Sequence, residues 1–251
     1  MFIVNAKIGV FMNRVFKMSA VAMAVMCATS VFAEDDLISF EGNREEVVGW
    51  TPVCVGLATP VQMPFGMNKW DVFGLDLNLL YSDAPKVYGV NIGGLAAVTR
   101  NNLAGLQVAA LANYAVENVY GARFALGINI AKKTVYGFEA GGFALRPEIY
   151  GCDIEFVGSY QRKIAGVAIA GITNIATEET TGAALAIGCN ITHTTKGIQV
   201  AGIYNHTIEL NGCQIALVNY ADECVSGFQI GLLNFIMSNQ LKVLPFVNGY
   251  F

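Results

Sequence analysis

The sequence predicts an all-β repeat protein, folded as an antiparallel meander that closes into an outer-membrane-type β-barrel of about 12 strands. Three observations predict it: glycines recurring on a 14–16-residue clock, a strand-like alternation within each unit, and an export-like N-terminus on a chain poor in charge. A β-solenoid of 15–16-residue coils is the alternative that the same clock allows.

The clock runs through Gly74, Gly89, Gly105, Gly121, Gly137, Gly151, Gly166, Gly182, Gly197, Gly212 and Gly227. In most units an asparagine follows seven or eight residues later: Asn113, Asn129, Asn174, Asn190, Asn205, Asn219 and Asn234. Two residues after each glycine stand Asp76, Asn91, Gln107, Arg123, Glu139, Asp153, Ala168, Ala184, Gln199, Gln214 and Gln229, nine of the eleven polar or charged. Such regularity marks units that are structural elements stacked on their neighbours. The positions that define the repeat are therefore Gly105, Gln107, Asn113, Gly121, Arg123, Asn129, Gly197, Gln199, Asn205, Gly212, Gln214, Asn219, Gly227, Gln229 and Asn234.

Each unit reads as a strand. In ENVYGARFALGINIAKK, residues 117–133, Tyr120, Ala122, Phe124, Leu126, Ile128 and Ile130 alternate with Val119, Gly121, Arg123, Ala125, Gly127 and Asn129. One face is apolar and the other small or polar, a period of two. The segments SDAPK, RNN, EN, KK, TEET, HTTK and SNQ carry turn chemistry. Pro85 and Pro147 fall in such connections, and no proline interrupts 148–244, where it would remove a ladder hydrogen bond.

Two geometries fit this pattern. A barrel puts the apolar face outward and the polar face in a lumen, and closure removes exposed edges. A solenoid puts glycine and asparagine half a period apart, at the two turns of a flattened coil, and stacks identical side chains about 4.8 Å apart. In the solenoid Arg123 lies directly between Gln107 and Glu139; in the meander it is displaced from both. TEETTG and AKKTVYG match poorly with a second apolar inner strand, which favours the barrel. The repeat also contains a slip: Asn205 lies eight residues after its glycine and Asn219 seven, so without a bulge the two would face opposite ways.

Residues 1–33 read as a secretory signal peptide, with Lys7, Arg14 and Lys17 ahead of a short apolar run ending Val31-Phe32-Ala33. Met12 is an equally good start. Residues 34–50 form an acidic leader and 51–251 a single β domain. From Glu34 onward the chain has 12 basic and 19 acidic residues, a net charge of −7, which excludes the basic footprint of a nucleic-acid binder. Only 14% of the chain is charged against about 25% in ordinary domains, so something other than water is expected to cover part of its surface. Five cysteines remain beyond the signal segment, with neither a metal-binding spacing nor a paired framework, and read as small hydrophobes.

Units such as GLQVAALAN, GIQVAGIYN, GCQIALVN and GFQIGLLN resemble the Gly-Leu-Gln-Ile-Gly-Leu-x-Asn units of the leptospiral-type bacterial surface-repeat family. The flanks PVQMPF…WDVFGLDLNLLYSDAPKVYG and LPFVNGYF are similar to that family's flanks, so the resemblance spans about residues 60–251. It implies an exported, surface-associated protein and no particular chemistry. Units Gly137–Arg146 and Gly151–Tyr160 depart from the pattern, lacking both glutamine and the closing asparagine, and a pairing irregularity is expected there.

His193 and His206 read as solvated turn residues, no nucleophile motif or phosphate loop is present, and Arg123, Glu139 and Asp153 read as a neutralised ladder rather than a catalytic cluster. The expectation is a non-enzymatic protein of the bacterial outer membrane or cell surface, structural or binding in role. It needs no cofactor or metal, membrane lipid is its expected partner, and its oligomeric state is open. A pore or small-molecule transport barrel and a soluble, secreted, adhesin-like solenoid are the alternatives.

Overall fold

The computed structural model describes residues 47–65 and 69–250. The segment 1–33 expected to be a signal peptide and most of the expected leader 34–50 lie outside the described residues. Strands β1 (Gly49–Ala58), β2 (Val61–Met63), β3 (Trp70–Ala84), β4 (Val87–Gly93), β5 (Ala96–Thr99), β6 (Leu103–Ala109), β7 (Ala112–Ala115) and β8 (Val119–Ala131) are followed by β9 (Val135–Leu145), β10 (Glu148–Ala170), β11 (Thr173–Ala186), β12 (Cys189–Ala201), β13 (Tyr204–Ile215), β14 (Val218–Ile236) and β15 (Val243–Tyr250).

The antiparallel barrel is overturned by strand direction. From β3 to β14 every pairing is parallel, so the chain forms a β-solenoid in which each repeat is one coil. Gly89 pairs with Gly105, Gly105 with Gly121, and the column continues to Gly227. Arg123 sits between Gln107 and Glu139, as a solenoid requires. Antiparallel pairs occur only at the ends, where β2 folds onto β1 and β15 onto β14. The one closed ring of strands, β3-β4-β6-β8-β7-β5, is small and parallel. It arises because two coils are each broken into two strands while β3 and β8 run through both halves.

In-register stacking wins because it puts like on like. Asn174 donates through Nδ2 to Asn190 Oδ1 at 3.0 Å, Asn190 to Asn205 at 3.0 Å, Asn205 to Asn219 at 3.1 Å and Asn219 to Asn234 at 2.9 Å. Gln229 donates to Gln214 and Gln214 to Gln199, each at 2.8 Å. Staggered strands would leave these buried amides without partners, at a cost of about 1–3 kcal/mol each. The glycine column has its own reason. Gly197 has φ of 137°, and a Cβ there would lie 2.1 Å from the Gly182 carbonyl oxygen. Only glycine turns the chain there and lets the coils approach.

The asparagine slip does not change the pairing. Asn205 and Asn219 remain in register, because the turn Ala216–Leu217 is one residue shorter than Ala201–Ile203. Register shifts lie at the two deviant units, between Ala125 and Ile128 and between Glu155 and Gly158, but also between Gln161 and Lys163, Ala176 and Glu179, and Leu210 and Asn211, so they do not set those units apart.

Each coil is flat, with two strand faces joined by two edges. Side chains two before and two and four after the repeat glycines point inward, except that ahead of Gly227 a register shift puts Cys224 inward and Val225 outward; each repeat asparagine and the residue two beyond it also point inward. The first of these columns is apolar from Val72 to Ile164 and again at Leu210, and it forms a buried spine. The rest of the interior is largely polar, and the large apolar residues point outward. TEETTG and AKKTVYG do not form a second apolar inner strand; their charged residues make one edge.

Candidate functional site

The densest chemistry lies inside the two deviant coils and the coil of Gly121 before them. Arg123 donates through Nη1 to the Ile130 carbonyl at 2.8 Å and through Nη2 to Glu139 Oε1 at 2.5 Å. Arg146 Nη1 reaches Glu139 Oε2 at 2.6 Å, and its Nη2 pairs with Asp153. All four side chains are fully buried, and Glu155 is buried beside them. Space for Glu155 comes from Gly141, where a Cβ would lie 3.0 Å from Glu155 Oε2 and 2.7 Å from Asn129 Nδ2. Sequence reasoning found Arg123, Glu139 and Asp153 but missed Arg146 and Glu155. Arg146 occupies the inward column of Thr99, Ala131 and Gln161, which becomes visible only once the asparagine-bearing half of the coil is counted as a second wall.

Two guanidiniums face three carboxylates, one negative charge too many for a dry interior. Burial, reinforced by the charges of Asp153 and Glu139, pushes Glu155 up to about 9, and burial raises Asp153 as well. Between the ordinary carboxylate range and about pH 9 the folded chain therefore holds a proton that the unfolded chain releases. The stability tied to that proton is complete at low pH and is lost as pH rises through the folded value. Glu155→Gln keeps a neutral group there. Relative to wild type, the variant is expected to gain stability steadily from pH 5 to pH 9, on the order of 1 kcal/mol or more at the upper end. Urea unfolding at pH 5, 7 and 9 measures this, and a pH-independent difference contradicts the assignment.

The other predicted repeat positions form walls rather than a cleft. Gln107, Asn113, Asn129, Gln199, Asn205, Gln214, Asn219, Gln229 and Asn234 are all buried and inward. Gln107 donates to the Ala97 carbonyl at 3.1 Å, and Asn113 to Asn129 at 3.0 Å. Gly105, Gly121, Gly212 and Gly227 share the positive-φ column with Gly197. The five cysteines among the described residues are unpaired: Cys152 and Cys213 stand outward in the column of Val167 and Ile198, and Cys224 inward in that of Leu210. His206 departs from the turn expected for it. It lies in β13, stacked on Tyr220 at 5.2 Å, and burial lowers its pKa.

The outer surface is sharply zoned. From each repeat glycine to the residue level with the repeat asparagine, the eleven coils hold only five charged side chains: Asp76, Arg123, Glu139, Asp153 and Glu155. All five are buried. The edge joining those two levels directly is a row of aliphatic and aromatic residues including Leu111, Leu126, Phe156, Ile172, Ile187, Ile203 and Leu217, with Leu126 and Ile187 about three-quarters exposed at 76% and 75%. At the opposite edge are ion pairs such as Lys196–Glu179 at 3.1 Å, Lys163–Glu179 at 3.6 Å and Lys133–Glu117. A shallow open groove there is lined by Lys163, Thr177, Glu178, Glu179, His193, Thr194, Lys196 and Glu209. Among the described residues no group of three His, Cys, Asp or Glu side chains is placed to hold a metal ion.

Compared with protein-family models, with curated proteins and with solved structures, the chain matches none.

Proposed function

We propose that this is an exported, non-catalytic β-repeat protein of the bacterial outer membrane or cell surface, with a structural or binding role. A single observation carries the reading: the solenoid is inside-out, with polar amides and ions buried and uncharged apolar residues exposed on three sides. Contiguous apolar surface beyond a few hundred Å² marks an interaction surface, and this one runs the length of the coil stack. The signal-like N-terminus and the surface-repeat resemblance point to the same compartment. The pore alternative depended on an open barrel lumen, whereas the coils are filled by their own side chains. A soluble adhesin-like solenoid would have to leave the uncharged edge in water.

Fractionation of producing cells tests this reading. The protein is expected in the membrane fraction, shortened at its N-terminus, and labelled by an impermeant amine reagent at edge lysines such as Lys132 on intact cells. Recovery in the cytoplasm at full length would overturn it.

A further inference from the structure

The outer surface is stratified as well as apolar. Next to the charged edge, one level in on both faces, stand aromatic rows. Along the first half of the stack one face carries Phe73 stacked on Tyr88 at 4.9 Å, and Tyr120, Tyr136 and Tyr150 stacked in turn at 5.1 and 5.2 Å; from Ala165 onward the same column is polar, with Thr181, Lys196, Asn211 and Ser226. The other face carries Tyr114, Tyr160, His206 and Tyr220 at the matching level. Beyond these rows the outward columns are mostly Leu, Val, Ile, Phe, Ala and Cys, with Tyr81, Gly158, Thr173 and Tyr204 in the column of Cys189, and they end in the Leu/Ile edge. Charge, then aromatic rings with a polar tip, then aliphatic side chains is the order in which a lipid surface changes from water to acyl chain.

The dimensions agree. From the repeat glycine to the apolar edge is five residues of strand, about 16 Å at the usual rise. The hydrocarbon of one leaflet is about 15 Å, half of a bilayer core. We propose that the solenoid is a single-leaflet insert. Its axis lies in the plane of the membrane, the Leu/Ile edge points to the bilayer midplane, the aromatic rows sit at the headgroup boundary, and the charged edge stays in water. It does not cross the membrane, so every coil has the same orientation to it.

A second copy of the chain fits less well, because a flat partner covers one face and leaves the other face and the edge exposed. The charged edge also indicates how the insert is held. It carries nine basic and nine acidic side chains among the described residues and has no net charge, so it offers no general attraction to anionic lipid. Apolar burial must supply the binding, which should be nearly independent of headgroup charge and salt.

This inference rests on the membrane-surface reading above, and the test separates the two. Single cysteines replace Leu126, Tyr120 and Lys132 in a full-length background whose native cysteines are changed to alanine. Each carries a fluorophore and is mixed with phosphatidylcholine vesicles brominated at defined acyl depths. The protein should float with the vesicles at low and high salt. The label at 126 should be quenched best by deep bromines and the label at 120 by shallow ones, while the label at 132 answers only to aqueous iodide. Flotation with equal iodide access at 126 and 132 would overturn the single-leaflet insert alone. Failure to float would overturn it together with the membrane reading. Protection of the label at 126 in lipid-free buffer, with a dimer mass by light scattering, would assign the surface to a second copy. Leu126→Lys with Ile187→Lys should lower vesicle partitioning at least tenfold while leaving the coil fold, read by circular dichroism, intact.

Discussion

Gly197→Ala is expected to destabilise the protein by about 3–5 kcal/mol, a large part of the 5–15 kcal/mol that holds a typical domain. Two costs combine. At φ of 137° an alanine is strained by about 1–3 kcal/mol. Its Cβ would also lie 2.1 Å from the Gly182 carbonyl oxygen, which belongs to backbone and cannot swing away. Relieving that contact pushes two coils apart and lengthens the ladder bonds on either side, another 1–3 kcal/mol by the measure of overpacked interiors. Ile198→Ala, next in sequence but outward and half exposed, should cost no more than about 1 kcal/mol. Denaturant unfolding of the two variants makes the comparison. Equal effects would mean that the glycine backbone does not have this conformation.

Arg146→Met should produce the second large effect, about 3–5 kcal/mol. Arg146 bridges Glu139 and Asp153 in a fully buried setting, and its removal leaves Asp153 without its cation and Glu139 with Arg123 alone. The loss should be smaller in acid, where the carboxylates can take up protons, and should grow as pH rises. Adding Asp153→Asn should restore part of the stability, so the double-mutant cycle shows a coupling of at least 1 kcal/mol. Additive losses would show that the pair acts independently. Such a cluster is not a strong source of stability in itself, because desolvation offsets much of the attraction. Its effect is to make these two coils intolerant of removing one partner.

How far the sequence could be read follows from which property each signal reports. Period two in residues 117–133 reports that alternate side chains face opposite ways, which holds in any sheet, so strands and the inward Gln and Asn columns were legible. Strand direction was not, because AKKT and TEET look like hairpin turns as readily as like a solenoid edge. What decides direction is the like-on-like amide ladder and the positive-φ glycine column, and both are long-range consequences of stacking. The barrel expectation did carry one correct element, apolar side chains outward and polar side chains inward, although the architecture is different. Asn205 is bonded to Asn190 on one side and Asn219 on the other, and Gln199 accepts from Gln214, so a narrow interior can hold amides stacked on one another. Of the ionic cluster, the part in phase with the glycines was visible. Arg146 and Glu155 fell in units whose other landmarks were missing, and that absence was the available signal.

Consecutive repeats stack as parallel coils along one axis. The distance between spin labels at Leu95 and Leu217, both on the apolar edge and eight coils apart, tests it most directly. Parallel stacking predicts about 38 Å from the usual strand spacing. A closed barrel of about 12 strands would bring those positions back to about four strands apart, or about 20 Å or less, and a distance that short would rule out parallel stacking.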